Sequence, residues 1–297
     1  MAWSPEVLAT AQPRREVPAG PGWAFEPKLD GWRGLLAVER LWSRTGTNLG
    51  SRFPEILAAV AGRSVVLDGE IVAYRYEGRI EFAALQMSPA HRRQQRVGVY
   101  FAAFDLLAAG GRDWRRQPYL ERRAELVRRL DGGGLGVVQP VPMTLERDEA
   151  LWWMSEQAAD RGIEGLVAKP VGGVYQAGRR SGWVKVRRIT TSEAVVLGVS
   201  GPDRVVLGLA DLAGRWRAVG LSQPVPRGVR AELAAVLRPR GGPELLPGVI
   251  AGLPGHDLLP WQPCEIEVVA EVETDTAVEY GRWRHQPRVL RIKDQLG

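Results

Sequence analysis

The sequence is poor in lysine. Forty of its 297 residues are lysine or arginine, yet the lysines number only four: Lys28, Lys169, Lys185 and Lys293. A general drift toward arginine explains the scarcity but not which positions resist it. Cysteine is scarcer still. Cys264 stands alone, which excludes a disulfide framework and a cysteine-based zinc site. Its surroundings, "PCEIEVVAEV", read as a buried strand. The three histidines, His91, His256 and His285, are far apart in sequence, and no HExxH pattern or His/Cys cluster occurs. No run of 18 apolar residues is present, and the first twenty residues lack a basic start followed by an apolar core. The expectation is a cytoplasmic protein with no membrane association.

An apolar content of 45% and a charged content of 25% suit a folded globular protein, and the length suits two ordinary domains. The net charge of +6 points toward a polyanionic partner, with a solvated arginine-rich surface as the plainer alternative. Residues 1–22 carry four prolines and read as an extended arm wrapped onto a domain. "WAFEPKLDG" and "GLLAVERLWSRTG" read as two strands with a turn between them, and "SVVLDGEIVAYRYEGRIEF" as a strand pair turned at "EGR". "FPEILAAVAGR", "YLERRAELVRRL" and "DEALWWMSEQAADRG" read as helices, the last ended by Gly162. "GVYFAAFDLLAAGG", "EGLVAKP" and "SGWVKVRR" read as strands. From about residue 189 the texture changes to short alternating strands separated by Gly and Pro turns, with one helix, "RGVRAELAAVL". That pattern suits a small barrel of the OB type. The expected fold is therefore α+β, with domains at 1–188 and 189–297.

Arginine replaces lysine wherever a fixed positive charge is wanted, but its guanidinium stays protonated. Only lysine can lose its proton and act as a nucleophilic amine. A lysine retained in an arginine-biased chain is thus a candidate nucleophile, although a single lysine on a solvated face is the commoner case. Lys28 has suggestive neighbours. In an extended "FEPKLDGWRG", Glu26, Lys28 and Asp30 share one face, Gly31 permits a tight turn and Arg33 returns beside the site.

"EPKLDGWR" resembles the nucleotidyl-transfer motif of the ATP-dependent DNA ligases and their relatives, the RNA ligases and capping enzymes. "SRTG" at 43–46, "LDGE" at 67–70, "FAAFDLL" at 101–107, "EGLVAKP" at 164–170 and "WVKVR" at 183–187 are similar to the family's later motifs, in the family's order. The compact length resembles the short bacterial ligases of the ligase C and ligase D type. The resemblance implies an adenylation (nucleotidyltransferase) domain of antiparallel sheets with flanking helices, followed by an OB-fold β-barrel. It implies that Lys28 attacks the α-phosphate of ATP to form lysyl-AMP, with Mg²⁺ or Mn²⁺ held by Glu70 and Glu164. Glu26, or the backbone in its place, would read the adenine edge, Phe104 would stack on adenine, and Arg33 and Arg44 would hold ribose and phosphates. Glu70 would bind a ribose hydroxyl or the metal. Lys185 and Arg187 would flank the α-phosphate, although Arg187 stands where the family commonly has lysine. "PRVLRIKDQ" resembles the last ligase motif, so Arg291 and Lys293 would orient the leaving pyrophosphate. The implied partner is duplex DNA with a nick or break, bound by a monomer, in DNA repair.

Other readings of the same residues are an RNA ligase, a GTP-using capping enzyme, an NAD⁺-dependent ligase, and a non-catalytic nucleic-acid-binding module of degenerate ligase fold. The last is opposed by the presence together of Lys28, Glu70, Glu164 and Lys185. Singly, "LDGE" also reads as a hairpin turn, "FDLL" as a core strand end and Trp183 as core. "HRRQQR" at 91–96 reads either as a phosphate-gripping segment, the preferred reading, or as a solvated loop.

Overall fold

The structure, a computed structural model, describes residues 3–75, 78–130, 136–246, 258–266, 268–275, 278–279 and 281–295. His256, Glu77 of the "EGR" turn and Glu267 lie outside the described residues. The chain divides into two compact units, Met1–Arg188 and Ile189–Gly297.

In the first unit the strands are β1 (Gln12–Arg14), β2 (Trp23–Leu29), β3 (Trp32–Ala37), β4 (Arg40–Ser43), β5 (Val65–Tyr74), β6 (Gly98–Ala109), β7 (Arg112–Asp113), β8 (Val138–Pro140), β9 (Ile163–Pro170) and β10 (Val184–Arg187). Its helices are α1 (Pro54–Ala59), α2 (Pro89–Gln94), α3 (Tyr119–Leu130), α4 (Arg147–Leu151) and α5 (Glu156–Asp160). One sheet runs β1-β10-β9-β2, antiparallel except that β1 lies parallel to β10. The other runs β4-β3-β5-β6-β7, antiparallel, with β8 added parallel to β6. The proline-rich arm does wrap onto the domain. Its β1 completes the first sheet, and Thr10 N donates to Gly178 O at 2.7 Å.

Several local expectations are corrected. β2 and β3 are consecutive but do not pair: each joins a different sheet, and the chain crosses between them at Asp30–Gly31. No room exists there for a side chain on Gly31, since a Cβ would stand 2.2 Å from Ile71 O. "GLLAVERLWSRTG" is a hairpin of β3 and β4 rather than one strand. The return after "EGR" is only an isolated bridge, Tyr74 to Ile80. The helix expected over 148–162 is broken in three, because Ser155 leaves helical geometry and caps a new start, its hydroxyl accepting from Ala158 N at 3.2 Å. Gly162 follows at φ 84°, a left-handed conformation suited to glycine.

Helix α3 shows why this unit has a polar interior. Its buried positions, Tyr119, Arg122, Arg123, Glu125, Leu126 and Leu130, follow helical spacing, yet four of the six are polar. Burying such groups requires partners: Tyr119 donates to Glu26 and Arg123 to the carbonyl of Val141, both in the wall of the functional site, whereas Arg122 pairs with Asp105 and Glu125 with Arg128 and Arg129. Arg92, in the arginine-rich stretch expected to grip phosphates or sit in water, does neither. It is buried and donates to the carbonyls of Met87 and Arg52.

The second unit contains β11 (Ile189–Ser200), β12 (Arg204–Ala210), β13 (Trp216–Leu221), α6 (Arg227–Val236), β14 (Glu244–Leu246), β15 (Leu259–Pro263), β16 (Val268–Asp275), β17 (Val278–Glu279), β18 (Arg282–Trp283) and β19 (Arg288–Gln295). The long β11 organises it: residues 189–195 pair with β16, whereas 195–200 pair with β12. β16 in turn pairs with β19. Alternation in β16 buries Val268, Ala270 and Val272 against Val196, Leu207, Val219 and Leu233 of α6. Cys264 is buried, as expected, but sits in an isolated bridge to Pro239 rather than inside a strand.

Candidate active site

The three strands β2, β9 and β10 align the candidate residues in rows. Across the sheet Lys28 lies opposite Gly165, which lies opposite Arg187. The next row is Glu26, Val167 and Lys185. Period-two alternation places all of these on one face. Gly165 makes the first row possible, because it puts no side chain between Lys28 and Arg187. It also has φ 146°, and a Cβ there would stand 2.1 Å from Val186 O. Gly165→Ala is therefore expected to cost about 3 kcal/mol, read as a fall of roughly 5–10 °C in melting temperature. An unchanged melting curve would contradict the close packing of β9 on β10.

That face forms part of a cavity of about 390 Å³, within the range of small-ligand sites, roughly 300–1,000 Å³. Its lining includes Glu26, Lys28, Arg33, Arg44, Glu70, Phe104, Lys185 and Arg187 from the sequence-based candidates. Glu164 completes the set through an ion pair with Lys28 Nζ. Arg291 and Lys293 belong to the second unit, on β19, where they pair with Glu271 and Glu193.

The second sheet supplies Arg33, Glu70 and Phe104. Arg33 lies opposite Glu70 between β3 and β5. Its guanidinium forks onto Asp68, with Nε at 3.0 Å and a terminal nitrogen at 2.6 Å, and it stands 5.3 Å from the centre of the Phe104 ring. Asp68 is fully buried and also accepts from the Tyr175 hydroxyl at 2.5 Å. Although burial opposes the Arg33 charge, Asp68 more than offsets it and holds the guanidinium firmly protonated. The aspartate of "LDGE" is thus a buried anchor for Arg33, a role invisible in the motif itself.

Burial pushes the Glu70 carboxyl up to about 8, against the opposing pull of Lys28 and Arg33 and with a further push from Glu164 and Asp30. Two carboxylates that disfavour each other's charge are a suitable donor pair for a divalent cation, whose charge reverses that penalty. Mg²⁺ commonly uses one or two carboxylates and completes its shell with water and phosphate oxygens. Glu70 and Glu164 fit that chemistry, and no cluster of three or more His, Cys, Asp or Glu occurs among the described residues. Burial first, then the cations Arg187, Lys28, Arg44 and Arg179, push the Lys185 ammonium below the ordinary lysine value. This wall is strongly cationic, and an anion would relieve it.

Several participants were not expected from sequence. Thr10 and Ala11 bring the N-terminal arm to the cavity, and Val141, Val167 and Trp183 supply apolar wall. Trp183 is buried, as expected of a core residue, yet it also lines the site. Lys169 lines the cavity too and is fully buried, with Nζ 2.7 Å from Glu26 Oε2 and 2.6 Å from Phe104 O. Glu26 accepts a further bond from the Tyr119 hydroxyl at 2.5 Å.

Residues 12–187 match the protein family described as the ATP dependent DNA ligase domain. DNA ligase C1 of Mycolicibacterium smegmatis is 32% identical over 315 residues, an overlap covering 96% of this chain and 88% of that one. The multifunctional non-homologous end joining protein LigD of the same organism is 36% identical over 203 residues, 63% of this chain and 25% of its own length. Among solved structures, mycobacterial DNA ligase D complexed with ATP and MES matches with a TM-score of 0.55 and 25% identity, over 99% of this chain and 97% of that one. The chain belongs to the ATP-dependent DNA ligase family. Its first unit has that family's nucleotidyltransferase fold, antiparallel sheets with few helices.

Proposed function

We propose that this chain is an ATP-dependent DNA ligase that seals nicks or breaks in duplex DNA through lysyl-AMP at Lys28, in DNA repair. The observation that carries the proposal is the convergence on one cavity of the Lys28 amine, the carboxyl groups of Glu26 and Glu70, five further basic side chains and the rings of Phe104 and Trp183. The kinship with DNA ligase C1 and LigD supports the substrate and the repair role. The net charge of +6 supports a polyanionic partner.

The chemistry balances with the residues present. The Lys28 amine gives up a proton to solvent water and forms a bond to the α-phosphorus of ATP, while the bond from that phosphorus to the bridging oxygen breaks and pyrophosphate leaves. A 5′-phosphate oxygen at the nick then displaces the amine, returning it to Lys28 and forming a 5′-adenylated strand. The adjacent 3′-hydroxyl attacks the 5′-phosphorus and releases AMP. Phe104 stacks on the base, and Glu26 reads its edge. Arg33 and Arg44 hold ribose and phosphates, and Glu70 either bonds a ribose hydroxyl or serves as a metal ligand. Lys185 and Arg187 stabilise charge on the α-phosphate. A Mg²⁺ or Mn²⁺ ion held by Glu70 and Glu164 would supply further charge neutralisation of the phosphates.

The second unit is proposed to be an OB-type barrel. Strands built around β11 with α6 interposed support it, as does an interior of alternating apolar residues. Arg291 and Lys293 are assigned there to orienting pyrophosphate, and the working form is a monomer.

Lys185→Met tests the role of the cationic wall. It is expected to slow adduct formation with ATP about 100-fold while the protein melts within a few degrees of wild type. Single-turnover labelling at saturating ATP measures it, and an unchanged rate would remove Lys185 from the mechanism. The whole proposal is tested by nick sealing itself: ATP and a divalent cation should join nicked duplex DNA, and joining of nicked RNA alone, or with GTP alone, would redirect it.

A further inference from the structure

Lys169 poses a physical problem. A fully buried ammonium costs several kcal/mol of desolvation, and a well-packed apolar residue would usually stabilise a fold as well or better. It is one of only four lysines in the chain, and the chemistry above does not use it. Its surroundings are specific. Nζ stands over three rings, 4.2 Å from the centre of Trp183 and 4.9 Å from those of Phe104 and Tyr119. It donates to Phe104 O and pairs with Glu26 Oε2, while Tyr119 donates to Glu26 Oε1. The two donors hold one carboxylate by both oxygens. The partners come from β2, β6, α3 and the residue before β10, all distant in sequence from one another. Arg123 of α3 adds a bond to the carbonyl of Val141, another cavity residue.

This arrangement controls which hydrogen bonds the cavity offers. A carboxylate held as an anion presents only acceptors, and a backbone carbonyl does the same. An acceptor-only surface suits the exocyclic amine of a purine and opposes a carbonyl oxygen at the same position. Both Glu26 oxygens are occupied as acceptors by Lys169 and Tyr119. Burial raises the Glu26 carboxyl even beside Lys169, its main opposing influence, and without Lys169 that push toward the neutral form would go less opposed. A neutral carboxyl can donate, and the discrimination would weaken.

We propose that Lys169, assisted by Tyr119, is a positioning residue for nucleobase selection: it fixes Glu26 and the Phe104 carbonyl as acceptors, so that the cavity favours a 6-amino over a 6-oxo purine nucleotide. The inference rests on the reading of this cavity as the nucleotide site of a ligase. The network acts through Glu26 and Phe104 on the base alone and takes no part in the steps at phosphorus.

The test compares ATP with GTP in single-turnover adduct formation by wild type, Lys169→Met and Tyr119→Phe. A parallel assay seals a nick that already carries 5′-AMP, and melting curves report folding. Lys169→Met is expected to lower the ATP-over-GTP ratio about 30-fold, and Tyr119→Phe about 10-fold. The loss should fall mainly on the nucleotide concentration needed for half-saturation, not on the saturated rate. Tyr119→Phe removes one hydroxyl and serves where Lys169→Met does not fold. An unchanged ratio in a folded variant, or equal losses in adduct formation with both nucleotides and in sealing, would overturn the proposal and leave Lys169 a structural residue. A wild-type chain that forms no adduct with either nucleotide would overturn the ligase reading and this inference with it.

Discussion

Lys28→Arg is expected to form no protein–AMP adduct, a loss of about 10⁴-fold or more in adenylation rate. The substitution keeps the positive charge and the ion-pairing capacity toward Glu164, so the site should remain assembled and the melting temperature nearly unchanged. What it removes is the one property arginine cannot supply, an amine able to shed a proton. Sealing of a nick that already carries 5′-AMP should fall far less, because no bond to Lys28 forms or breaks in that step. The readout is a denaturing gel after incubation with α-labelled ATP. A labelled Lys28→Arg protein would mean that another residue is the nucleophile.

Arg122→Met should lower the melting temperature of the first unit by roughly 10 °C, corresponding to a loss of about 3–5 kcal/mol. The guanidinium and the Asp105 carboxylate are both completely buried, joined at 2.7 and 2.9 Å. Arg122 also donates to the carbonyls of Gln117 and Gly173, at 2.7 and 2.8 Å. Removing the cation takes from Asp105 its directly paired counter-charge in the interior and leaves those carbonyls without this donor. A double variant, Arg122→Met with Asp105→Leu, should regain part of the loss, since it removes both charges together. Differential scanning calorimetry would decide. A shift of less than about 2 °C for the single variant would show that the pair contributes little net stability.

Much of the site was legible because strand alternation is a local property. Glu26 and Lys28 do share a face, and Arg33 does return to the cavity from the next strand. Asp30 does not extend that row, since β2 ends at Leu29 after a register shift, and Asp30 N donates to Gly162 O at 3.3 Å instead. The motifs "LDGE", "FAAFDLL", "EGLVAKP" and "WVKVR" marked the correct strands. They could not say which strands would pair. Lys28 meets Gly165 across 137 positions of sequence, and consecutive β2 and β3 part company into different sheets. Such choices depend on long-range packing that no local pattern encodes.

Polar burial was the least legible feature. Lys169 stood out by its rarity, but its partners Glu26, Phe104 and Tyr119 come from other segments, so its position had no visible reason. Tyr119, Arg122 and Arg123 read only as part of a helix, with nothing in the local sequence to mark them as inward, whereas they are buried and bond to Glu26, Asp105 and Val141. Arg92 misled in the same way. Arginine in a basic run usually means a solvated or nucleic-acid-facing surface, but here the guanidinium satisfies backbone carbonyls in the interior.

The most direct test of the central claim is mass spectrometry of the protein after incubation with ATP and Mg²⁺, followed by proteolysis and then by addition of nicked duplex DNA. The ligase account predicts a single AMP adduct on the peptide containing Lys28, formed only with a divalent cation and discharged when nicked DNA is added. No adduct with either Mg²⁺ or Mn²⁺, in protein shown to be free of pre-bound AMP, or an adduct located on any other residue, would contradict it.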